Sequence, residues 1–230
     1  MLKYEYIARD LIDRINKKEF KSDKLPTENE LVEDYSVSKN TIRNAITVLK
    51  NEGIIFPIQG SGYYIHYVDS SATFLGGLKG LTFNHPGSAI VTKLLELQQI
   101  PCDEEISQIM KCEIGTPLYF LKRLRMIDNK PYSLEYTYYN KNIVPYLDKE
   151  LAESSIYRYL NEDLKLSFSF TDKYVSACAL TNEEGELLAL APGSPGFVIE
   201  DRAHLTNGEC FNASRCVYHF QKARFYTIIK

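Results

Sequence analysis

The stretch LPTENELVEDYSVSKNTIRNAITVLKNEGIIFPIQGSGYYI, Leu25–Ile65, decides the fold of the first part of this chain. Leu25-Pro26 cannot continue a helix, and Thr27 with Glu30 three residues later is a capping-box signature that starts one. Leu31, Val32 and Tyr35 give that short helix its buried face, and it stops near Ser36. Ser38 can cap the next helix, with Val37 as a staple residue ahead of it. Ile42, Ala45, Ile46 and Leu49 then recur at helical spacing until Gly53 supplies a stop. Two helices joined by a few residues are helix-turn-helix geometry. Ile54 to Ile58, the turn Gln59-Gly60-Ser61-Gly62 and Tyr63 to Tyr67 read as a β-hairpin with a glycine-rich tip.

Upstream, Tyr4, Ile7, Ala8, Leu11, Ile12 and Ile15 lie on one stripe of an amphipathic helix. Three helices closed by a hairpin make a winged helix-turn-helix. On its third helix, Lys39, Asn40, Thr41 and Arg43 are polar and lie opposite the apolar stripe. The N-terminal residues of a recognition helix face base edges, where Arg or Lys suits guanine and Asn suits adenine. Taken alone, those four residues also suit an ordinary solvated face, and the tight turn and glycine tip tip the reading toward double-stranded DNA.

Charge agrees with a local DNA surface. The chain has 230 residues and a net charge of −3, which argues against coating nucleic acid nonspecifically. Residues 1–66 hold ten basic and ten acidic side chains, but within 36–66 the tally is three to one. The 44% hydrophobic content fits a globular chain long enough for two domains. No apolar run reaches the roughly 18 residues that span a bilayer, and charges throughout the N-terminus leave no signal-peptide core. A cytoplasmic protein without membrane partners is expected. Five scattered cysteines form no C-x-x-C pair and four separated histidines have no ligand spacing, so neither metal nor cofactor is expected. The cysteines read as small buried hydrophobes.

The stretch from Leu25 to Ile65 resembles the DNA-binding domain of bacterial GntR-type repressors, whose pattern runs L-P-S-E-x-E-L-A, V-S-R-x-T-V-R, L-x-x-E-G-L-I and G-x-G. That resemblance implies recognition-helix contacts from Lys39, Thr41 and Arg43, a wing tip at Gly60, Ser61 and Gly62, and Thr27 beside a backbone phosphate. Two departures bear on DNA contact. Lys39 stands where the family usually has Arg, and Asn29 where some members place a base-contacting Arg, which leaves room for a different half-site.

Asp69 to Thr73 is small and polar, and Gly76, Gly77 and Gly80 follow, so a linker over 69–79 is expected between a DNA-binding domain at 1–68 and a second domain at 80–230. In that domain Pro117–Ile127 and Pro131–Tyr139 read as strands around the turn Asp128-Asn129-Lys130. Ser154 to Leu160 reads as a capped helical turn. Thr181 with Glu184 is a second capping box, for a helix through Leu187, Leu188 and Leu190. Strands near 169–180, 196–206 and 210–218, with Asn207-Gly208 as a hairpin turn, and a last one over 223–229 complete the pattern. The fold class is α+β: a winged helix-turn-helix plus a mainly antiparallel sheet with helices.

The order R-L-R, turn, P-x-x-x-E, then S-I-Y, over roughly residues 80–228, is similar to the UTRA effector domain of the HutC subfamily, which has a chorismate-lyase-like fold. Arg123 and Arg125, two apart on a strand, project from one face, and their forks suit phosphate or carboxylate. The bland alternative is a solvated face paired with Glu135. The resemblance gives the two arginines an effector-binding role, joined by Ser155 and Tyr157, whose helix start favours an anion. Thr82, Glu135, Tyr138 and Glu209 are further pocket candidates. The features and the two resemblances together imply a homodimeric repressor on a pseudo-palindromic operator that answers to a small anionic effector, and by the family resemblance a phosphosugar is favoured. The competing readings are a metabolite-binding module without specific DNA binding and, from the fold resemblance, an enzyme. No acid–base or nucleophile constellation supports the second.

Overall fold

The computed structural model describes residues 2–20, 22–66, 72–75, 81, 85 and 87–227, and the chain divides into two compact units, Met1–Asp69 and Ser70–Thr227. Thr82 and most of the expected linker lie outside the described residues.

In the first unit α1 (Lys3–Asn16), α2 (Glu28–Tyr35) and α3 (Lys39–Asn51) precede the hairpin β1 (Ile55–Ile58) and β2 (Gly62–Ile65). The Thr27 hydroxyl accepts from Glu30 N–H while the Glu30 carboxylate accepts from Thr27 N–H, the reciprocal box that the spacing predicts. Ser38 accepts from Thr41 N–H and starts α3, and Ser36 in the left-handed region ends α2, so the turn between them is tight. Ile7, Leu11, Leu31, Ile42, Ile46, Leu49, Ile55 and Ile65 form one core from all three helices and both strands. Removal of that apolar surface from water is what holds so small a unit together.

The second unit is built on a six-stranded sheet in the order β4-β5-β6-β9-β8-β7, antiparallel throughout. Its strands are β4 (Ile90–Pro101), β5 (Pro117–Ile127), β6 (Lys130–Asn140), β7 (Phe168–Ala179), β8 (Pro195–Leu205) and β9 (Cys210–His219). Asp128 and Asn129 both take positive φ, the conformation that a two-residue hairpin between β5 and β6 requires. On one sheet face lie α4 (Glu104–Met110), packed through Ile106 and Met110, and α7 (Asn182–Leu188), packed through Leu188. On the other lie α5 (Lys149–Glu153) and α6 (Ile156–Arg158), the latter running into a π-helical turn at Tyr159–Asp163.

Three details differ from the sequence expectation. The helix begun by the Thr181–Glu184 box ends at Ala189, in the left-handed region, so Leu190 lies beyond it. Thr73–Phe74, within the expected linker, forms β3 and pairs in parallel with β10 (Phe225–Tyr226), which is shorter than the strand expected over 223–229. The twelve-residue β4 and the helix α4 carried no expectation, because no turn dipeptide or capping pair was picked out ahead of them.

Candidate functional site

The first unit presents a polar face at the start of α3. Lys39, Asn40 and Arg43 are exposed, since Ile42, Ala45, Ile46 and Leu49 take the opposite side into the core. Arg43 Nε donates to Glu28 Oε2 at 3.0 Å, and Lys39 Nζ lies 3.9 Å from the same oxygen. Lys39 Nζ also donates to Asn29 Oδ1 at 3.2 Å. Lys39 and Asn29, the two departures from the GntR pattern that bear on DNA contact, therefore touch each other. Thr41 Oγ1 lies 2.8 Å from Ser38 Oγ, and the Thr27 hydroxyl donates to Glu30 at 2.7 Å, so both hydroxyls serve caps in this state. At the hairpin tip Gly60 and Gly62 have φ of +74° and +106°, a region open to glycine at no steric cost. A Cβ on Gly62 would stand 3.2 Å from Lys24 Cε, and Ser61 Oγ is 2.7 Å from Tyr64 Oη. Sequence reasoning missed Glu28 and Lys24, whose parts depend on contacts between helix, hairpin and the strand-like stretch before α2.

The second unit contains a cavity of about 110 Å³ on the α5–α6 face of the sheet. Arg123, Arg125, Glu135, Ser155 and Tyr157 all line it. The period-two pleat puts Arg123 and Arg125 on one face, and the register sets Arg123 opposite Glu135 and Glu135 opposite Cys216. Arg123 donates to Glu135 at 2.6 Å and to the Ala152 carbonyl at 3.0 Å, while Arg125 reaches the other Glu135 oxygen at 3.1 Å. One carboxylate thus holds two guanidiniums in a buried triad, where a solvated pair was the bland expectation. Burial alone would raise the Glu135 carboxyl, but the two arginines overcome it and hold the group below the usual carboxylate range. Burial likewise opposes the charge on Arg123, and Glu135 restores it. Tyr157 is pushed well above its ordinary value by burial and remains a neutral phenol.

Two expected pocket residues belong elsewhere. Tyr138 alternates with Thr137 and Tyr139, so it faces the other side of the sheet, where it meets Phe120 and the α4 cluster. The pleat gives the cavity Tyr139 in its place. Glu209 is exposed in the β8–β9 turn and accepts from the Asn207 side chain. Thr82 lies outside the described residues. Residues that sequence reasoning missed include Thr137, Lys173, Asp201, Asn212 and Ser214. Thr137 follows from Glu135 by alternation, but the others depend on the pairing of β6 with β9, and of β8 with β7. Lys173 is paired with Asp201 across β7 and β8. The ionic lining is three cations against two carboxylates, and the buried Nε atoms of Arg123 and Arg125 have no hydrogen-bond partner.

A winged helix with a cationic recognition face, on the same chain as a sheet unit holding an ionic cavity, is the architecture of a helix-turn-helix transcriptional regulator with a second domain. Residues 3–65 match the family described as bacterial regulatory proteins, gntR family, and residues 85–224 match the UTRA domain. The chain belongs to the GntR family of regulators and has the HutC-type architecture of helix-turn-helix plus UTRA domain. It is 32% identical over 228 residues to the HTH-type transcriptional regulator YydK of Bacillus subtilis strain 168, covering 98% of this chain and 96% of that one. It is 27% identical over 231 residues to MngR of Escherichia coli K12, the mannosyl-D-glycerate transport/metabolism system repressor, covering 98% and 95%. The crystal structure of Bacillus subtilis YydK superposes with a TM-score of 0.84 at 31% identity, over 100% of both chains. These relatives are transcriptional regulators and not enzymes. Among the described residues, no helix is long and apolar enough to cross a membrane.

Proposed function

We propose that this regulator is a homodimeric repressor that holds a pseudo-palindromic operator and lets go when a small anionic metabolite, with a phosphorylated sugar favoured, enters the cavity of the second unit. The observation that carries this reading is the pair of buried, partnerless Nε–H groups on Arg123 and Arg125. A buried donor left unsatisfied costs roughly 1–3 kcal/mol, so two of them at one cavity favour a guest with several acceptor oxygens. The excess of cations in the lining selects an anion, while Thr137, Asn212 and Ser214 suit hydroxyl groups on the same molecule. The relative MngR is named for mannosyl-D-glycerate, which is a sugar derivative carrying an anionic group.

In this reading Lys39, Asn40, Thr41 and Arg43 meet base edges, Thr27 meets a phosphate, and Gly60, Ser61 and Gly62 form the wing. Arg123 and Arg125 bind the anion, with Glu135 setting their geometry and Ser155 and Tyr157 completing the cage. A dimer is supported by β7, a sheet edge on which Phe170, Tyr174 and Val175 are exposed. An unpaired edge with apolar side chains invites a second strand. Fluorescence anisotropy on a labelled duplex from upstream of the protein's own operon tests the whole. A hexose phosphate or sugar acid should release the duplex and the parent neutral sugar should not. Equal release by the neutral sugar, or no preference for that duplex over random DNA, sinks the reading.

A further inference from the structure

The loop that carries α4 brings two thiols together at its ends. Cys102 follows the last residue of β4, Cys112 follows the left-handed cap Lys111, and their sulfurs lie 3.4 Å apart. Both are free thiols. The backbone around each is fixed: Cys102 N–H donates to Thr116 O and its carbonyl accepts from Gly115 N–H, both at 2.8 Å, while the Ser107 hydroxyl donates to Cys112 O at 2.6 Å. The sulfurs face each other across α4, which lies on the sheet through Ile106 and Met110.

We propose that Cys102 and Cys112 are a modification site, forming a reversible disulfide across α4 when a two-electron oxidant of the peroxide class reaches Cys112. A disulfide bond is about 2.05 Å long, so closure asks the two sulfurs, 3.4 Å apart, to approach by roughly 1.4 Å. The roles follow from exposure. Cys102 is 2% exposed, and burial, reinforced by its contact with Cys112, pushes its thiol up to about 12. It stays protonated and shielded. Cys112 is only partly buried, so it is the sulfur that meets the oxidant. Peroxide transfers one oxygen to the Cys112 sulfur, giving a sulfenic acid and one water. The Cys102 sulfur then attacks the Cys112 sulfur and displaces hydroxide, which takes the Cys102 proton and leaves as a second water. Two thiols have lost two electrons, and the peroxide has been reduced to two waters. Cys210 belongs to the same apolar cluster, and burial pushes its thiol up to about 11, which makes it the internal control.

The test treats the full-length protein with stoichiometric hydrogen peroxide and counts thiols after denaturation. Free thiols should fall from five to three, and digestion should yield one cross-linked peptide joining Cys102 to Cys112. Dithiothreitol should restore all five. Closing this short loop should raise the Tm of the oxidised protein by about 5 °C. In Cys210→Ser the count should fall by the same two. In Cys102→Ser, Cys112 should stop as a sulfenic acid that dimedone traps. The proposal is overturned if peroxide joins Cys112 to Cys210, or if all five thiols survive until irreversible oxidation begins.

Discussion

Arg43 donates its Nε–H to Glu28 at 3.0 Å, so the recognition helix carries its own counter-charge on the helix before it. The Arg43 side chain is 60% exposed, and an exposed pair of this kind is worth about 0–1 kcal/mol. A bidentate contact to guanine discriminates by roughly 1–3 kcal/mol, enough that the guanidinium should leave Glu28 for the right base. Arg43→Ala should therefore abolish specific operator binding with the fold intact. Glu28→Gln should do the reverse of a loss: affinity for random duplex rises and the operator's advantage shrinks, because Arg43 and Lys39 are no longer held back. Salt titrations on both duplexes read the two effects, and unchanged nonspecific affinity in Glu28→Gln would remove the counter-charge role.

Lys39 and Asn29 are joined by a hydrogen bond at 3.2 Å; Lys39 stands where the GntR pattern usually has an arginine and Asn29 where some members place one. Asn29 thereby loses an acceptor for adenine and Lys39 is steered as a point charge instead of a fork. Restoring arginine at both positions should shift the preferred half-site toward the commoner family sequence, whereas either single change should mostly weaken binding. A randomised-duplex selection compares the three variants. Identical consensus sequences from wild type and the double variant would show that these two side chains do not set specificity.

At the wing, Gly62→Val places a β-branched residue at a φ of +106° with its Cβ 3.2 Å from Lys24 Cε. Strain of about 1–3 kcal/mol and a displaced lysine should weaken DNA binding and lower the stability of the first unit. Effector affinity, measured by calorimetry on the same variant, should not change. A fall in effector affinity would mean that the hairpin belongs to the effector site.

How much of this was legible follows a physical line. The helices and hairpin of the first unit were legible because their signals are local: the Thr27–Glu30 box, the Ser38 cap and Gly53 each act within a few residues. In the second unit the R-x-R pair was legible because Arg123 and Arg125 share a face by alternation on one strand. Tyr138 was misplaced by neglect of that same alternation, which puts Tyr139 in the cavity instead. Lys173, Asp201 and Asn212 were out of reach, since each enters through the pairing of strands far apart in sequence. The register of β6 against β9 is set by pattern and packing between strands far apart in sequence, not by a signal local to either.

Glu135 stands between two buried guanidiniums, and Glu135→Gln keeps its shape while removing the charge. Breaking such a buried triad costs roughly 3–5 kcal/mol because two buried guanidiniums lose their shared counter-charge. The carboxyl is lowered in the folded state, so the stability it supplies is complete above the ordinary carboxylate value, about 4.3, and is lost as pH falls through the folded value. Wild type should therefore lose stability below about pH 4, and Glu135→Gln, already destabilised at neutral pH, should lose less over that range. The variant's cavity is more cationic, so inorganic phosphate should raise its Tm more than it raises that of wild type. An equal phosphate response in both proteins would exclude the arginine pair as the anion's seat.

Arg123→Ala tests the link between the two functions. It removes one of the two partnerless Nε–H donors, and affinity for the anionic effector should fall by about 1.5–3 kcal/mol, the worth of a charge-assisted hydrogen bond. Glu135 keeps Arg125 as its partner, so the loss of Arg123 leaves no unpaired buried charge. Operator affinity without effector should stay near wild type, because Arg123 belongs to the second unit and the candidate DNA face to the first. In cells the variant should behave as a super-repressor that holds its operator and ignores inducer. Reciprocity adds a stricter demand: if effector lowers DNA affinity by some factor, operator DNA must lower effector affinity by the same factor. Calorimetry with and without an operator duplex measures both directions on the wild-type protein. Release of DNA by Arg123→Ala at wild-type effector concentrations breaks the induction model, and effector that tightens DNA binding reverses its sign.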